Sequence, residues 1–338
     1  MREPPNLAES DIVAVLQAHY GLAVRALAFL PLGADSASAV YRLDAAGGDR
    51  YLLKVRSGAG FSLPSLAVPH LLHEQGVPHI AAPLATADGA LWASLGDYAL
   101  SLYRFIDGRM GADGGLSPEQ WRTLGTTVRQ VHTSRLPPEL RRIVPREAFV
   151  PSRRELMEGL EAALDGEDLA GPAARELAAL WQAQRDVIHT VVAQADTLAD
   201  RLRQQDLPLA LCHADLHTWN VLVDARQEFW LIDWDETILA PKERDLMFVV
   251  VGIASHLVGP HDTACFLAGY GDAAIDQVAL TYYRYAWAVQ DMAAFAERAL
   301  LLPDLSEETR REAVHGFAEL FEPGQIVAIA QASDGAGN

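Results

Sequence analysis

Three polar residues have the types and the spacing that phosphoryl transfer requires. That chemistry needs a base beside the attacking hydroxyl and metal ions that neutralise the phosphate oxygens. Asp215 follows the apolar residues 209–212 and precedes Asn220 by five positions, so a short loop can turn both into one cleft. Asn220 and Asp233 flank a predicted hairpin and offer the oxygen ligands that Mg²⁺ prefers. The pattern therefore predicts a base at Asp215 and a magnesium site at Asn220 and Asp233.

A second interpretation of the same segment is a zinc site. His213, Asp215 and His217 alternate along the chain, so they would share one face of a strand. Zinc would leave Asn220 and Asp233 without a role, whereas phosphoryl transfer uses both. The cysteines, Cys212 and Cys265, match neither a disulfide framework nor zinc spacing. We therefore expect packing cysteines and a reduced, cytoplasmic compartment.

Lys54 is informative because only two of the 27 basic residues are lysines. In a chain that otherwise uses arginine, a lysine suggests a need for a compact ammonium group, as in phosphate contact. Residues 50–56 alternate in polarity and predict a strand paired with residues 39–43. In the loop before this hairpin, donors to phosphate oxygens are expected from Gly33, Ser36 and Ser38. A solvated strand lysine is the alternative.

The pattern HxDxxxxN at residues 213–220, followed by IDWD at 232–235, resembles the catalytic core of the aminoglycoside phosphotransferase and choline kinase group, relatives of the protein kinases. HADLHTWNVLV, APKERDLMFV, LLHEQGVP and YYRYAWAVQD are together most similar to the spectinomycin phosphotransferase branch. The resemblance implies an α+β, bilobal, protein-kinase-like fold with a small β-rich N-lobe and a larger, mostly helical C-lobe. It also implies Mg²⁺ as cofactor and ATP as phosphoryl donor.

The resemblance assigns roles to individual residues. Asp215 would be the catalytic base, Asn220 and Asp233 would hold Mg²⁺, and His213 would be structural. Asp245, in the downstream DL element, would brace the catalytic loop.

The chain departs from the family at the partner of Lys54. The family pairs this lysine with a glutamate on the following helix, but residues 55–73 contain no acidic residue and Glu74 is the first. Either phosphate and Mg²⁺ alone orient Lys54, or Glu74 or another carboxylate pairs with it.

The predicted organisation is a nucleotide-binding lobe at 1–104, a connector at 105–115 and a catalytic and acceptor-binding lobe at 116–338. Strands are expected in the first lobe, including one at 91–93, and helices in the last, including one at 243–256. In the family the adenine lies against the connector, where the nearest candidates are Arg104, Phe105 and Ile106. An apolar strand at a sheet edge is the alternative for these three residues.

The net charge of −18 and the pI near 4.9 narrow the class of partner. Nucleic acid and anionic lipid are disfavoured, whereas cationic small molecules are favoured. No run of eighteen apolar residues and no basic, apolar leader is present, so neither membrane insertion nor export by a typical signal is expected. The sequence leaves the oligomeric state open.

The spectinomycin branch acts on an aminocyclitol with two methylamino groups, which implies a pocket of carboxylates and aromatic rings. The candidate carboxylates are Asp215, Asp235, Glu236 and Asp291, and the candidate rings are Trp219, Trp234 and Tyr282. Packing beside the catalytic hairpin is the alternative for the two tryptophans, and Asp235 has a second metal ion as its alternative partner.

Two rival functions remain. A small-molecule kinase for choline, a sugar, homoserine or a macrolide would share these motifs and differ in its acceptor pocket. A non-catalytic nucleotide-binding regulator is motivated by the missing glutamate after Lys54, although such a protein has no need of a base at Asp215.

Overall fold

The computed structural model describes residues 4–31, 38–58, 61–166, 169, 171–302 and 305–334. The chain divides into two compact units. The first, called here the sheet unit, consists of Met1–Leu116, Thr133–Pro145 and Thr218–Thr237. The second, called the helical unit, consists of Ser117–His132, Arg146–His217 and Ile238–Asn338. The lobe boundaries inferred from the sequence remain a prediction.

An antiparallel sheet forms the larger part of the sheet unit. Its order is β1-β2-β3-β6-β4, and β5 also pairs with β6. The strands are β1 Val24–Leu30, β2 Ser38–Ala45, β3 Arg50–Ser57, β4 Pro83–Leu84, β5 Ala93–Leu95 and β6 Tyr98–Arg104. Strand β2 alternates between buried and half-buried side chains, as expected for a sheet with one covered face. Helices α1 (Glu9–Tyr20) and α2 (Pro64–Glu74) complete this region.

A smaller sheet in the same unit carries the predicted metal ligands. Its order is β10-β9-β7, with β7 at Gly108–Met110, β9 at Val221–Asp224 and β10 at Phe229–Leu231. Gly108 is required where β7 meets β9, because a Cβ there would lie 2.3 Å from the carbonyl oxygen of Val223. The short helices α3 (Gly111–Gly114) and α5 (Pro138–Ile143) also belong to this unit.

The helical unit is built around two long helices. Its elements are α4 Pro118–Thr133, α6 Arg154–Leu164, α7 Pro172–Arg203, β8 Ala210–Cys212, β11 Ile238–Ala240, α8 Glu243–Leu246, α9 Pro260–Tyr270, α10 Gln277–Leu300, α11 Glu307–Glu319 and α12 Ile326–Ala332. Helix α10 is buried along most of its length and packs against α7, α11 and α12. Helix α10 is therefore the centre of this unit's core, and only β8 and β11 form a strand pair among its described residues.

The predicted α+β class is confirmed: an antiparallel sheet near the N-terminus is followed by a mostly helical remainder. Local predictions differ from the structure in three places. The strand expected at 91–93 is β5 at Ala93–Leu95, and the connector at 105–115 contains β7 and α3. The helix expected at 243–256 ends at Leu246, and Val251 and Gly252 then adopt positive φ angles that no helix tolerates. Within the described residues, no helix combines the length and the apolar character needed to cross a membrane.

Candidate active site

Lys54 lies in the middle of the larger sheet, where β3 pairs with β2 on one side and β6 on the other. Its Nζ atom donates to Asp233 Oδ1 and to Asp235 Oδ2, at 2.9 Å in both cases. Burial lowers the pKa of the Lys54 ammonium group, but the charges of Asp233 and then Asp235 raise it by more, so its pKa lies above the ordinary value. Lys54 is thus a charged, oriented ammonium group, and not a solvated strand lysine.

These contacts answer which carboxylate pairs with Lys54. Glu74 lies at the end of α2 and faces His70, with 3.4 Å between its Oε1 and the ring Nε2. The partners of Lys54 are Asp233 and Asp235, and no sequence pattern favours them over Glu74. No local sequence pattern can predict these pairs, because Lys54 is separated from Asp233 and Asp235 by about 180 positions in the chain.

Arg56, two residues further along β3, binds the other oxygen of Asp235 through Nη2. Its Nη1 donates to Ser65 Oγ on α2 at 3.1 Å, and only 3% of its side chain is exposed. Both oxygens of Asp235 are therefore engaged by cations of the chain itself. Sequence reasoning missed Arg56, although alternation along β3 places it on the same face as Lys54.

The hairpin of β9 and β10 brings the chain at Asn220 beside the chain at Asp233. Val221 pairs with Leu231, and the next bond outward runs from Ile232 N to Asn220 O at 3.1 Å. Asp233 then takes φ 61°, a left-handed conformation that aspartate tolerates better than most residues. A buried amide oxygen and a partly exposed carboxylate are hard oxygen donors that fit Mg²⁺. The donor set therefore suits the predicted metal.

Asp215 follows β8 in the helical unit, in a loop fixed by Asp245. Asp245 accepts from the backbone N–H of His213 at 2.9 Å and from that of Ala214 at 2.6 Å. Ala214 takes φ 67°, and Asp245 binds both the N–H of this residue and the N–H of the residue before it. His213 is 1% exposed, and its Nδ1 accepts from the N–H of Asp215 at 3.3 Å. Both side chains thus shape the loop that carries Asp215.

Two residues that sequence reasoning missed support Asp245. His132 Nε2 lies 2.9 Å from Asp245 Oδ2, and its Nδ1 lies 2.8 Å from the Tyr270 hydroxyl oxygen, so the imidazole bridges the two side chains. Burial raises the pKa of Asp245, but His132 and then His213 lower it by more, so its pKa lies below the ordinary value. No local sequence pattern predicts these roles of His132 and Tyr270, because the two residues lie near the ends of α4 and α9 and approach Asp245 only in the folded unit.

The crossing of α4 and α9 is unusually close. A Cβ at Gly125 would lie 2.1 Å from the carbonyl oxygen of Phe266, and one at Gly269 would lie 1.8 Å from that of Arg122. Only glycine fits at either position without moving a helix. This contact brings the ends of α4 and α9, and with them His132 and Tyr270, next to Asp245.

His217 and Asp291 surround Asp215 within the helical unit. His217 Nε2 lies 3.1 Å from Asp215 Oδ1. Burial lowers the pKa of His217, but its hydrogen bond with Asp215 and the charge of that carboxylate raise it by more, so its pKa lies above the ordinary value. Burial, with the charge of Asp215, raises the pKa of Asp291 to about 7 against the opposing effect of His217. These three side chains form one electrostatic cluster.

The triad of His213, Asp215 and His217, considered as the alternative zinc site, is not among the ligand clusters of the described residues. The cluster found there comprises His132, Cys212 and Asp245. Burial and then the charge of Asp245 raise the pKa of the Cys212 thiol well above its ordinary value, so it stays protonated. Because both oxygens of Asp245 already accept hydrogen bonds, this cluster is a packed structural group.

The remaining candidates lie in several environments. Trp234 and Tyr282 are 3% and 1% exposed, which favours packing over contact with an acceptor. Trp219 is 45% exposed and Glu236 is exposed. Asp291 lies on α10, partly buried, four residues after Trp287.

The nucleotide candidates other than Lys54 come from two segments, residues 33–38, which end at the start of β2, and the end of β6 with the two residues after it. Gly33 and Ser36 lie outside the described residues, and Ser38 begins β2 opposite Arg56. Arg104 ends β6 and is exposed, while Ile106 is partly buried. The Phe105 N–H donates to the carbonyl oxygen of Arg50 at 3.1 Å, so this amide is already paired.

Comparisons with known proteins identify the family and similar folds. The model of the phosphotransferase enzyme family matches residues 28–288. A spectinomycin phosphotransferase, solved in complex with ADP and spectinomycin, superposes with a TM-score of 0.88 and 30% identity over 98% of this chain and 99% of that one. The AMP-bound complex of a spectinomycin phosphotransferase gives a TM-score of 0.83 and 29% identity over 96% of this chain and 98% of that one. Protein StrN of Streptomyces griseus is 29% identical over 224 residues, which are 65% of this chain and 67% of that protein.

Proposed function

Because this chain belongs to the phosphotransferase enzyme family, we propose that it transfers the γ-phosphoryl group of ATP to a hydroxyl of spectinomycin. The similarity to the spectinomycin phosphotransferase bound to ADP and spectinomycin carries this proposal, since it extends over 98% of the chain at 30% identity. The net charge of −18 favours a cationic acceptor. An aminocyclitol with two methylamino groups is such an acceptor.

Asp215 is the base in this proposal. It accepts the proton of the acceptor hydroxyl while that oxygen bonds to the γ-phosphorus and the bond from phosphorus to the β–γ bridging oxygen breaks, releasing ADP. His217 holds Asp215 Oδ1 through Nε2 at 3.1 Å and so limits rotation of the carboxylate. The hydrogen bonds from the loop to Asp245 keep the backbone of this base in place. Positioning and charge supply the catalysis, without a covalent enzyme intermediate.

Lys54 is the phosphate-binding cation in this proposal, and Asn220 and Asp233 are the ligands for Mg²⁺. The metal, when bound, would neutralise phosphate oxygens. Lys54 suits its role because its ammonium group is held charged and oriented by two carboxylates. Asp235 is assigned to Lys54 and Arg56 in place of the acceptor or a second metal, since both of its oxygens are occupied by these cations.

The test is mass spectrometry of spectinomycin incubated with the protein, Mg²⁺ and ATP. We expect spectinomycin to gain one phosphate group while ADP forms in equal amount. Asp215→Asn is the matched control, because it keeps the shape of the side chain and removes its basicity. Product from another member of a panel of choline, a sugar, homoserine and a macrolide, without product from spectinomycin, would transfer the assignment to that acceptor. Nucleotide binding without product from any acceptor would instead support a regulator.

A further inference from the structure

The unusual feature of the nucleotide-binding region is a relay of side chains from α2 to Lys54. Residues 55–73 offer no carboxylate, and Glu74, the acidic residue of α2, lies beside His70 at the end of the helix. Instead Ser65 on α2 accepts from Arg56 Nη1 at 3.1 Å, and Arg56 binds Asp235. Asp235 then accepts from Lys54 Nζ at 2.9 Å. Arg56 thus connects the helix to the lysine through a carboxylate.

Charge explains why the relay needs all its members. Lys54 and Arg56 are cations on the same face of β3, so their charges repel each other. Asp235 lies between them with one oxygen for each, which removes the repulsion. Arg56 is 3% exposed, so losing its carboxylate would leave a buried charge without a partner. The planar guanidinium group also fixes direction, since its fork binds Ser65 and Asp235 at once.

Asp233 would be shared between Lys54 and the metal under the proposed function, whereas each oxygen of Asp235 binds a cation of the chain itself. Asp235 is therefore the carboxylate whose main contacts are Lys54 and Arg56, and the contact with Arg56 determines where Asp235 points. We infer that Arg56 is a positioning residue for nucleotide binding, acting through Asp235 on Lys54. This inference rests on the proposed function in the assignment of Lys54 to phosphate and of Asp233 to Mg²⁺.

The experiment measures ADP affinity by calorimetry, with Mg²⁺ and with a chelator, so that no acceptor is required. Arg56→Gln is expected to weaken ADP binding about ten-fold, the scale of one charge-assisted contact. Arg56→Lys, which keeps the charge but not the fork, is expected to recover part of the loss. Arg42→Gln is the matched control, because Arg42 lies on the neighbouring strand β2 and forms a partly exposed pair with Asp44 at 3.5 Å. We expect Arg42→Gln to bind ADP within about two-fold of the unsubstituted protein.

A double-mutant cycle with Asp235→Asn separates this relay from direct contact of Arg56 with phosphate. If Arg56 acts through Asp235, the double variant binds ADP about as weakly as Asp235→Asn alone. Multiplying fold-losses would overturn the inference, and so would unchanged affinity in Arg56→Gln. Thermal unfolding is measured for each variant beside the titration. If Arg56→Gln does not fold, Ser65→Ala removes one hydrogen bond of Arg56 while keeping its charge. A protein that binds ADP normally but phosphorylates no spectinomycin would remove the proposed acceptor while leaving this test intact.

Discussion

Replacing Asp291 by Asn should stabilise the protein, and it should do so more at high pH than at low pH. Burial raises the pKa of Asp291 from 3.8 to about 7, with a further contribution from the charge of Asp215. The folded state therefore holds this proton where the unfolded chain has lost it. At 1.36 kcal/mol per unit, the ionised carboxylate costs at most about 4 kcal/mol above pH 7. Because Asp291 is partly exposed, solvent screening lowers the cost below this upper limit.

The pH dependence of this stabilisation follows from the raised pKa of Asp291. The cost of Asp291 grows as pH rises from about 4 to about 7 and is complete above that range, whereas Asn stays neutral throughout. The stabilisation by Asp291→Asn should be up to about 2–3 kcal/mol larger at about pH 8.5 than at about pH 5. His217 and Asp215 face Asp291, and loss of the attraction to protonated His217 reduces the gain.

Urea unfolding followed by tryptophan fluorescence, at both pH values, measures this difference. Asp224→Asn is the matched control of opposite sign. Burial raises the pKa of Asp224, but hydrogen bonds from Trp230 and from the backbone of Glu228 and Arg226 lower it by more. Asp224 thus contributes stability that is present above the unfolded pKa and lost as pH falls, so its Asn variant should be destabilised near neutrality. A stability difference for Asp291→Asn that is independent of pH, or that is destabilising at high pH, would refute the reasoning.

Three further outcomes are expected. Asp215→Asn should lower kcat by roughly 10²–10⁴-fold, the usual contribution of a general base, with ADP affinity unchanged by calorimetry. Asn220→Ala should raise the Mg²⁺ concentration for half-maximal turnover at least about ten-fold, because even mutation of a residue that only supports a metal ligand typically weakens metal binding by that factor. An unchanged Mg²⁺ requirement would exclude Asn220 as a ligand. Gly125→Ala should cost roughly 1–3 kcal/mol in chemical unfolding, because its Cβ would lie 2.1 Å from a carbonyl oxygen. Its control, Gly159→Ala on α6, meets nothing within 4 Å and should be neutral or slightly stabilising.

The sequence predicted the family and the fold class because their signals are local. The motif around Asp215 and Asn220 lies within one short segment, and the alternation along β3 marks a strand. Both the resemblance to the aminoglycoside phosphotransferase group and the α+β class are confirmed. The helix expected at 243–256 was wrong beyond Leu246, because the continuous apolar run at 246–251 does not distinguish a helix from the turn that the backbone makes at Val251 and Gly252.

The supporting contacts of the site were beyond prediction for a different reason. Asp235 was considered for the acceptor or a metal, and only the fold shows it between Lys54 and Arg56. His132 is an ordinary last-turn residue of α4 until Asp245 is brought to it across 113 positions. Such pairings depend on tertiary packing, which neither periodicity nor a short motif encodes. The assignment of acceptor contacts stays a prediction.

The close approach of α4 and α9 has a consequence for random mutagenesis of this chain. Gly125 and Gly269 lie far in sequence from HxDxxxxN, yet the helix ends that they set determine the hydrogen bonds that reach Asp245. A screen for lost phosphotransferase activity would therefore enrich changes at both glycines, and the resulting proteins would resemble catalytic lesions in an activity assay. Residual folded protein in the cell extract would tell the two kinds of lesion apart.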